Sequence, residues 1–249
     1  MEPLDDPNRV AAMRAQIAAK PSLMHYYRRI YQRFADCLGR CPPDGIALEL
    51  GSGAGFIGDV VPSIVSSDVL PYEGVDRVVD AAALPFGDGS LRFIGMANVF
   101  HHLPDAGAFL AEAQRCLMPG GRLLIVDQHV GPISGPILKY LHHEPFDPHS
   151  ADWGFDSSGP LSGANGALAW IVFVRDRDRL ARQYPALRLL SYRPHSPLYY
   201  WLSGGMKRWT LVPEVLIPTA EALDRALTRF SSTLGSFTDI ELERTREAA

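Results

Sequence analysis

Cysteine is scarce in this chain: three residues, Cys37, Cys41 and Cys116, with no C-x-x-C pair among them. That excludes a disulfide framework, and reduced thiols in a cytoplasmic protein are expected. Long apolar runs are lacking too. The longest, ALAWIVFV at 167–174, is far too short to span a bilayer. The acidic opening MEPLDDPNRV has no apolar stretch of the kind a signal peptide needs. Nor is there a basic stripe. The net charge is −4, and arginines alternate with acids in VRDRDRLARQ, a solvated helix face rather than a nucleic-acid surface. Internal repeats and low-complexity tracts are also missing. What remains is ordinary globular material, 47% hydrophobic and 21% charged over 249 residues, enough for one α/β domain with elaborations.

Periodicity orders that material. Two helices precede a glycine-rich turn; the second starts at Pro21 and Ser22, stops at Gly39, and repeats Leu23, Tyr27, Ile30, Tyr31, Phe34 and Leu38 at helical spacing. Apolar strands are predicted at 46–50, 63–67, 77–79, 93–99 and 122–126, with Asp68, Asp80 and Asp127 at or just past three of their ends. A short helix broken by Pro62 should follow the turn. Asp105 should cap another, burying Phe109, Leu110, Ala113, Cys116 and Leu117 and stopped by Pro119-Gly120-Gly121. Strands alternating with helices imply a doubly wound, mostly parallel sheet whose ligand lies beyond the carboxyl ends of the strands. A helix at 177–183 and strands at 187–192 and 237–244 follow. Segments 131–165 and 195–235 read as cap insertions, placed after strand 5 and between the last two strands, on a cofactor-binding core of 22–130 in a single domain. In the second insertion Thr219 should cap a helix burying Ala222, Leu223, Ala226, Leu227 and Phe230.

The turn itself, ALELGSGAGFIGD, discriminates between ligands. Gly51, Gly53 and Gly55 make G-x-G-x-G, whereas dinucleotide folds use G-x-G-x-x-G and here Phe56 takes the last place. No GK[ST] follows, and Glu49 stands where a carboxylate would repel a pyrophosphate. A ligand carrying an ammonium and a sulfonium suits these residues better.

LELGSGAG, DAAALPF, NVFHHLPD and LMPGGRLLIVD, in this order, resemble the class I S-adenosylmethionine-dependent methyltransferases, in particular the small-molecule group called methyltransferase type 11. The match covers roughly 26–127. The resemblance implies a Rossmann-like sheet with an antiparallel last strand. It also implies S-adenosylmethionine as cofactor, with Glu49, Gly51, Ser52, Gly53 and Gly55 around its methionyl part. By the same resemblance Asp68 would bind the ribose, Asp80 with the backbone of Ala81 the adenine, and Asn98 would line the methyl side. One departure stands out: only VLPYEGV separates Asp68 from Asp76. A parallel crossover needs a dozen residues or more, so the helix usual there should be lost, and Asp76 rivals Asp68.

Methyl transfer to a hydroxyl benefits from a general base, most often His. His129, which follows the fifth strand, and the pair His143 and Glu144 in LHHEPFD are the candidates. His101 and His102 are read as scaffold. Adjacent histidines match no standard metal spacing, so no metal is expected. The acceptor is read as a small molecule, sugar or lipid-linked metabolite methylated at oxygen, with no nucleic-acid partner. The aromatic stretch 198–209 reads as the underside of the cap, or alternatively as a contact with a membrane interface. An NAD-dependent oxidoreductase and a non-catalytic cofactor-binding module are the competing functions.

Overall fold

The computed structural model describes residues 9–159 and 162–246; the opening segment read above for a signal peptide lies largely outside them. Seven strands form one sheet: β1 (Ile46–Leu50), β2 (Ile64–Asp68), β3 (Arg77–Val78), β4 (Leu91–Ala97), β5 (Leu117–Gln128), β6 (Leu187–His195) and β7 (Phe237–Arg244). Their order is β3-β2-β1-β4-β5-β7-β6. The first five pair in parallel, and β7 lies antiparallel between β5 and β6. The α/β architecture with an antiparallel last strand is thus as expected. From β1 the chain moves outward to β2 and β3, then returns to the other side of β1 as β4. That reversal opens a crevice at the carboxyl ends of β1 and β4.

The helices are α1 (Arg9–Ala18), α2 (Pro21–Leu38), α3 (Ala106–Cys116), α4 (Ser134–Tyr140), α5 (Leu168–Trp170), α6 (Arg177–Gln183), α7 (Tyr199–Leu202) and α8 (Ile217–Phe230). Strand alternation divides the core between two faces. Leu123 and Ile125 of β5 pack with α3 and Phe173, whereas Leu124 and Val126 pack with Phe34 and Ile30 of α2. Asp105 caps α3 as predicted, its Oδ1 accepting the Ala108 N–H at 2.9 Å.

Three local expectations are corrected. After the glycine turn there is only a 3₁₀ turn, Ile57–Asp59, rather than a helix. Pro119-Gly120-Gly121 does not end the chain's regular path: α3 stops at Cys116, β5 begins at Leu117, and the Pro-Gly-Gly bulges out where pairing jumps from Leu91↔Leu117 to Phe93↔Arg122. And α8 presents a different face. It starts at Ile217 without a side-chain cap, so Thr219 sits inside its first turn. It buries Ile217 and Asp224, while Leu223 and Phe230 are 47% and 86% exposed. Polar contacts turn it that way. Asp224 accepts the N–H groups of Leu198 and Tyr199 at the start of α7, and Glu221 pairs with His25 and Arg29 of α2.

The loss of the helix between β2 and β3 is as expected: among the described residues the connection holds none. Leu70, Tyr72 and Val75 instead pack against Val10 and Ile17 of α1 and Leu23 of α2. No helix of the described residues is long and apolar enough to cross a membrane.

Candidate active site

Glu49, Asp68 and Asn98 stand at the ends of β1, β2 and β4, so the parallel register delivers all three to the crevice. Glu49 is only 2% exposed, and among the described residues its one hydrogen-bond partner is Ser52, whose Oγ donates at 2.5 Å. Burial raises its carboxyl to about 7. A buried carboxylate with no cation beside it is what an ammonium group requires. Gly51 has φ +72°, and a Cβ there would overlap the Val99 methyls, so the chain passes β4 with no room for a side chain. At Gly53 the backbone N–H donates to Asp68 Oδ2 at 2.9 Å, and Leu70 N–H donates to Oδ1 at 3.1 Å.

The two rival aspartates are placed differently. Asp68 is buried against the glycine turn. Asp76 is exposed and holds the Ser66 N–H and hydroxyl at 2.8 and 2.7 Å on the sheet edge. Asp80 is also exposed and accepts the Ala82 N–H at 2.8 Å, with Ala81 half-buried beside it. Asn98 adopts φ +56°, the left-handed region that Asn tolerates better than most residues, and its N–H donates to Val126. These residues fit a cofactor with a cationic amino-acid end and a ribose.

The ends of β4 and β5 bring together a second group. His101 donates from Nδ1 to Asp127 Oδ1 at 2.6 Å, and its backbone N–H donates to Oδ2 at 3.1 Å. Its Nε2 lies 3.3 Å from Glu144 Oε2, while His102 Nε2 lies 3.5 Å from Glu144 Oε1. Gln128 Nε2 reaches the same carboxylate at 3.4 Å. Burial would lower His101, but Asp127 and Glu144 together hold it at about 10. Burial would likewise raise Glu144, yet the two facing imidazoles hold it well below the usual carboxylate range.

Comparison with known proteins now bears on this geometry. Residues 48–125 match the family described as a methyltransferase domain. Over 67 residues the chain is 45% identical to a ubiquinone/menaquinone biosynthesis C-methyltransferase of Paracoccus denitrificans (strain Pd 1222), covering 25% of this chain and 24% of that one. A protein of the same name from Teredinibacter turnerae (strain ATCC 39867 / T7901) is 28% identical over 152 residues, covering 49% of this chain and 61% of that one. The chain therefore spans about a quarter of the first relative's length. A geranyl diphosphate C-methyltransferase from Streptomyces coelicolor A3(2) shares the fold, with a TM-score of 0.53 at 12% identity, over 98% of this chain and 87% of that one. The segment 48–125 is thus similar to a methyltransferase domain, and the fold of the whole chain is the one such enzymes share.

The three residues expected to do chemistry lie beyond the matched segment and have different surroundings. Glu144 sits in the cluster just described. His143 points outward, with its side chain 76% exposed and its Nε2 3.8 Å from Glu144. His129 is buried, shares a 2.8 Å hydrogen bond between Nδ1 and the Tyr192 hydroxyl, and leaves Nε2 unpartnered. The pairing of His101 with Asp127 was not foreseen. Both residues belong to quoted motifs, but only the β4–β5 register, with Ala97 opposite Val126, places them side by side.

The aromatic stretch turns inward: Tyr199 is buried, Tyr200 meets Phe237 edge to face at 4.8 Å between centroids, and Trp201 lies tilted against it at 5.7 Å, leaving Trp209 exposed. His142 and Trp201, one from each insertion, approach to 6.1 Å between centroids.

His129 makes the fold sensitive to acid. Burial holds its imidazole at about 4, against 6.5 when unperturbed. Below pH about 6.5 the unfolded chain takes up a proton that the folded protein refuses, so stability falls until pH about 4, by about 3 kcal/mol in all. Thermal unfolding across that window should show the slope in the wild type and a flatter one in His129→Gln. Equal slopes would mean that His129 is solvated.

Proposed function

We propose that the chain transfers the methyl group of S-adenosylmethionine to an oxygen of a hydroxylated small molecule. The observation that carries this reading is Glu49, a carboxylate buried near the end of β1 beside the glycine turn, with no cation paired to it among the described residues. Glu49 and the turn Gly51–Gly55 would hold the ammonium end of the cofactor. Asp68 would accept from the ribose, Asp80 with Ala81 would border the adenine, and the strained Asn98 would fix the backbone beside the methyl group. When bound, S-adenosylmethionine supplies an electrophilic methyl on a sulfonium. The chain's own work is then to orient the acceptor, exclude water and deal with one proton.

Glu144, which the insertion 131–165 holds against His101 just past β4, is our candidate to accept that proton, with His101 positioning its carboxylate. His143, exposed, is left a part in acceptor contact at most, and His129 with Tyr192 a polar wall. The net charge of −4 and the absence of a basic stripe support a small acceptor over a nucleic acid.

Calorimetry tests the reading. Binding of S-adenosylmethionine should fall in the range common to enzyme ligands, roughly 1 μM to 1 mM. Because the cation binds the ionised form of Glu49, affinity should drop up to about tenfold per unit as pH falls below about 7. Glu49→Gln should weaken binding roughly tenfold or more and abolish that pH dependence. No heat at millimolar cofactor would overturn the proposal.

A further inference from the structure

Two histidines adjacent in sequence rarely aim the same nitrogen at one point, yet His101 and His102 do. Their Nδ1 atoms are both committed as donors. His101 Nδ1 meets the Asp127 carboxylate at 2.6 Å, and His102 Nδ1 meets the Gly163 carbonyl at 3.1 Å. Neither partner has a proton to give, so each ring carries its hydrogen on Nδ1. In the neutral rings the Nε2 lone pairs then face the Glu144 carboxylate, at 3.3 and 3.5 Å. Three acceptors converge, and each donor atom lies within 4.8 Å of the others. The point they face can hold one cation, a proton on His101 Nε2 or a metal ion that displaces it.

The arrangement matches what surrounds a catalytic metal ion. A metal-bound histidine normally donates its other nitrogen to a carboxylate or a backbone carbonyl, which fixes the tautomer and aims the ring; here both forms occur side by side. Tetrahedral bonds of about 2.1 Å place neighbouring donors about 3.4 Å apart. The separations to Glu144 straddle that value and exceed those of strong hydrogen bonds. The buried half of the site is rigid: Asp127 is fully buried and also accepts from the Gln128 N–H at 2.6 Å. The Gln128 Oε1 is buried without a partner. The other half is reachable, since the side chains of His102 and Glu144 are 21% and 18% exposed.

We infer that His101 Nε2, His102 Nε2 and the Glu144 carboxylate form a binding site for one divalent transition-metal ion of the zinc class, oriented by Asp127 and the Gly163 carbonyl. Two imidazoles and one carboxylate favour such an ion over magnesium or calcium, which prefer all-oxygen shells. Three protein ligands leave at least one position open, as in catalytic rather than structural centres. An acceptor hydroxyl is the natural occupant of that position. This last point rests on the methyl-transfer reading; the ion site itself does not.

The test is titration of the full chain, stripped with a chelator and dialysed, with Zn2+ and separately with Mg2+, followed by calorimetry. Co2+ serves as a visible-absorbance probe of the ligand geometry. One Zn2+ per chain is expected, bound at least a hundredfold more tightly than Mg2+. His102→Ala and Glu144→Gln should each weaken it at least tenfold, and Asp127→Asn by about 10–100-fold. His149→Ala, an exposed loop histidine, should leave it unchanged. Circular dichroism of each variant verifies folding, and His102 and Glu144 are exposed enough for those two to fold. Absence of stoichiometric Zn2+ binding would overturn the site and leave protons to neutralise the cluster. So would equal affinity in the wild type and His102→Ala, or Mg2+ binding as tight as Zn2+. S-adenosylmethionine titrated into the same stripped protein reads the other proposal separately: failure there leaves the ion site standing, and failure of Zn2+ leaves cofactor binding standing.

Discussion

Replacing Asp127 by alanine is expected to destabilise the protein by about 3–5 kcal/mol, the usual result of removing one partner from a buried charged pair. For a chain of this size that corresponds to a fall in Tm of about 6–20 °C. The reason is that Asp127 serves three donors at once, in a place with no water to replace it. Its oxygens accept from His101 Nδ1, from the His101 backbone N–H and from the Gln128 backbone N–H. All three would be left unpaired at the junction of β4 and β5. Asp127→Asn keeps an acceptor and the side-chain volume but loses the charge, so its fall should be smaller. Thermal unfolding by circular dichroism decides the matter; a Tm within 2 °C of wild type for the alanine variant would show that the pair contributes little.

The second large effect concerns the cofactor crevice. Gly51→Ala should weaken S-adenosylmethionine binding by about 30-fold or more while leaving the sheet folded. The residue sits at φ +72°, where a Cβ costs about 1–2 kcal/mol. That Cβ also overlaps Val99, the residue after Asn98, and relieving such an overlap costs typically 1–3 kcal/mol. The strain is released most easily by moving the turn away from β4, which withdraws the backbone that faces the cofactor. Calorimetry on the variant reads the loss directly, and unchanged affinity would mean that the turn does not contact the cofactor.

The sequence disclosed the cofactor half of the molecule more fully than the acceptor half. Strands buried on both faces read as continuous apolar runs, and those at β1, β4 and β5 end at Gly51, Asn98 and Asp127, so their ends were legible together with the residues they carry. The shortened crossover after Asp68 followed from counting residues. The α8 face did not. Its apolar residues have helical spacing, and spacing alone says they should be buried. What decides the orientation is the far partners of Glu221 and Asp224, in α2 and at α7, which no local window contains. The His101–His102–Glu144 group was hidden for the same reason. It draws on β4, on β5 through Asp127 and on an insertion pinned over them, where the Asn165 N–H donates to the His101 carbonyl at 2.8 Å.

The strand order also bears on how the chain reaches its structure. Around the glycine turn, β1, β2 and β3 follow one another through two connections shortened to a 3₁₀ turn and a loop, so they pair over small sequence distances. On the other side, Gln128 pairs with Phe237 only after both insertions and β6 have intervened. Closing the long loop costs more entropy than closing the short ones, and non-local pairing is slow. The cofactor crevice therefore belongs to the part of the sheet that assembles early. The wall bearing His129 and Tyr192 waits for the last strand, because β6 joins the sheet only through β7.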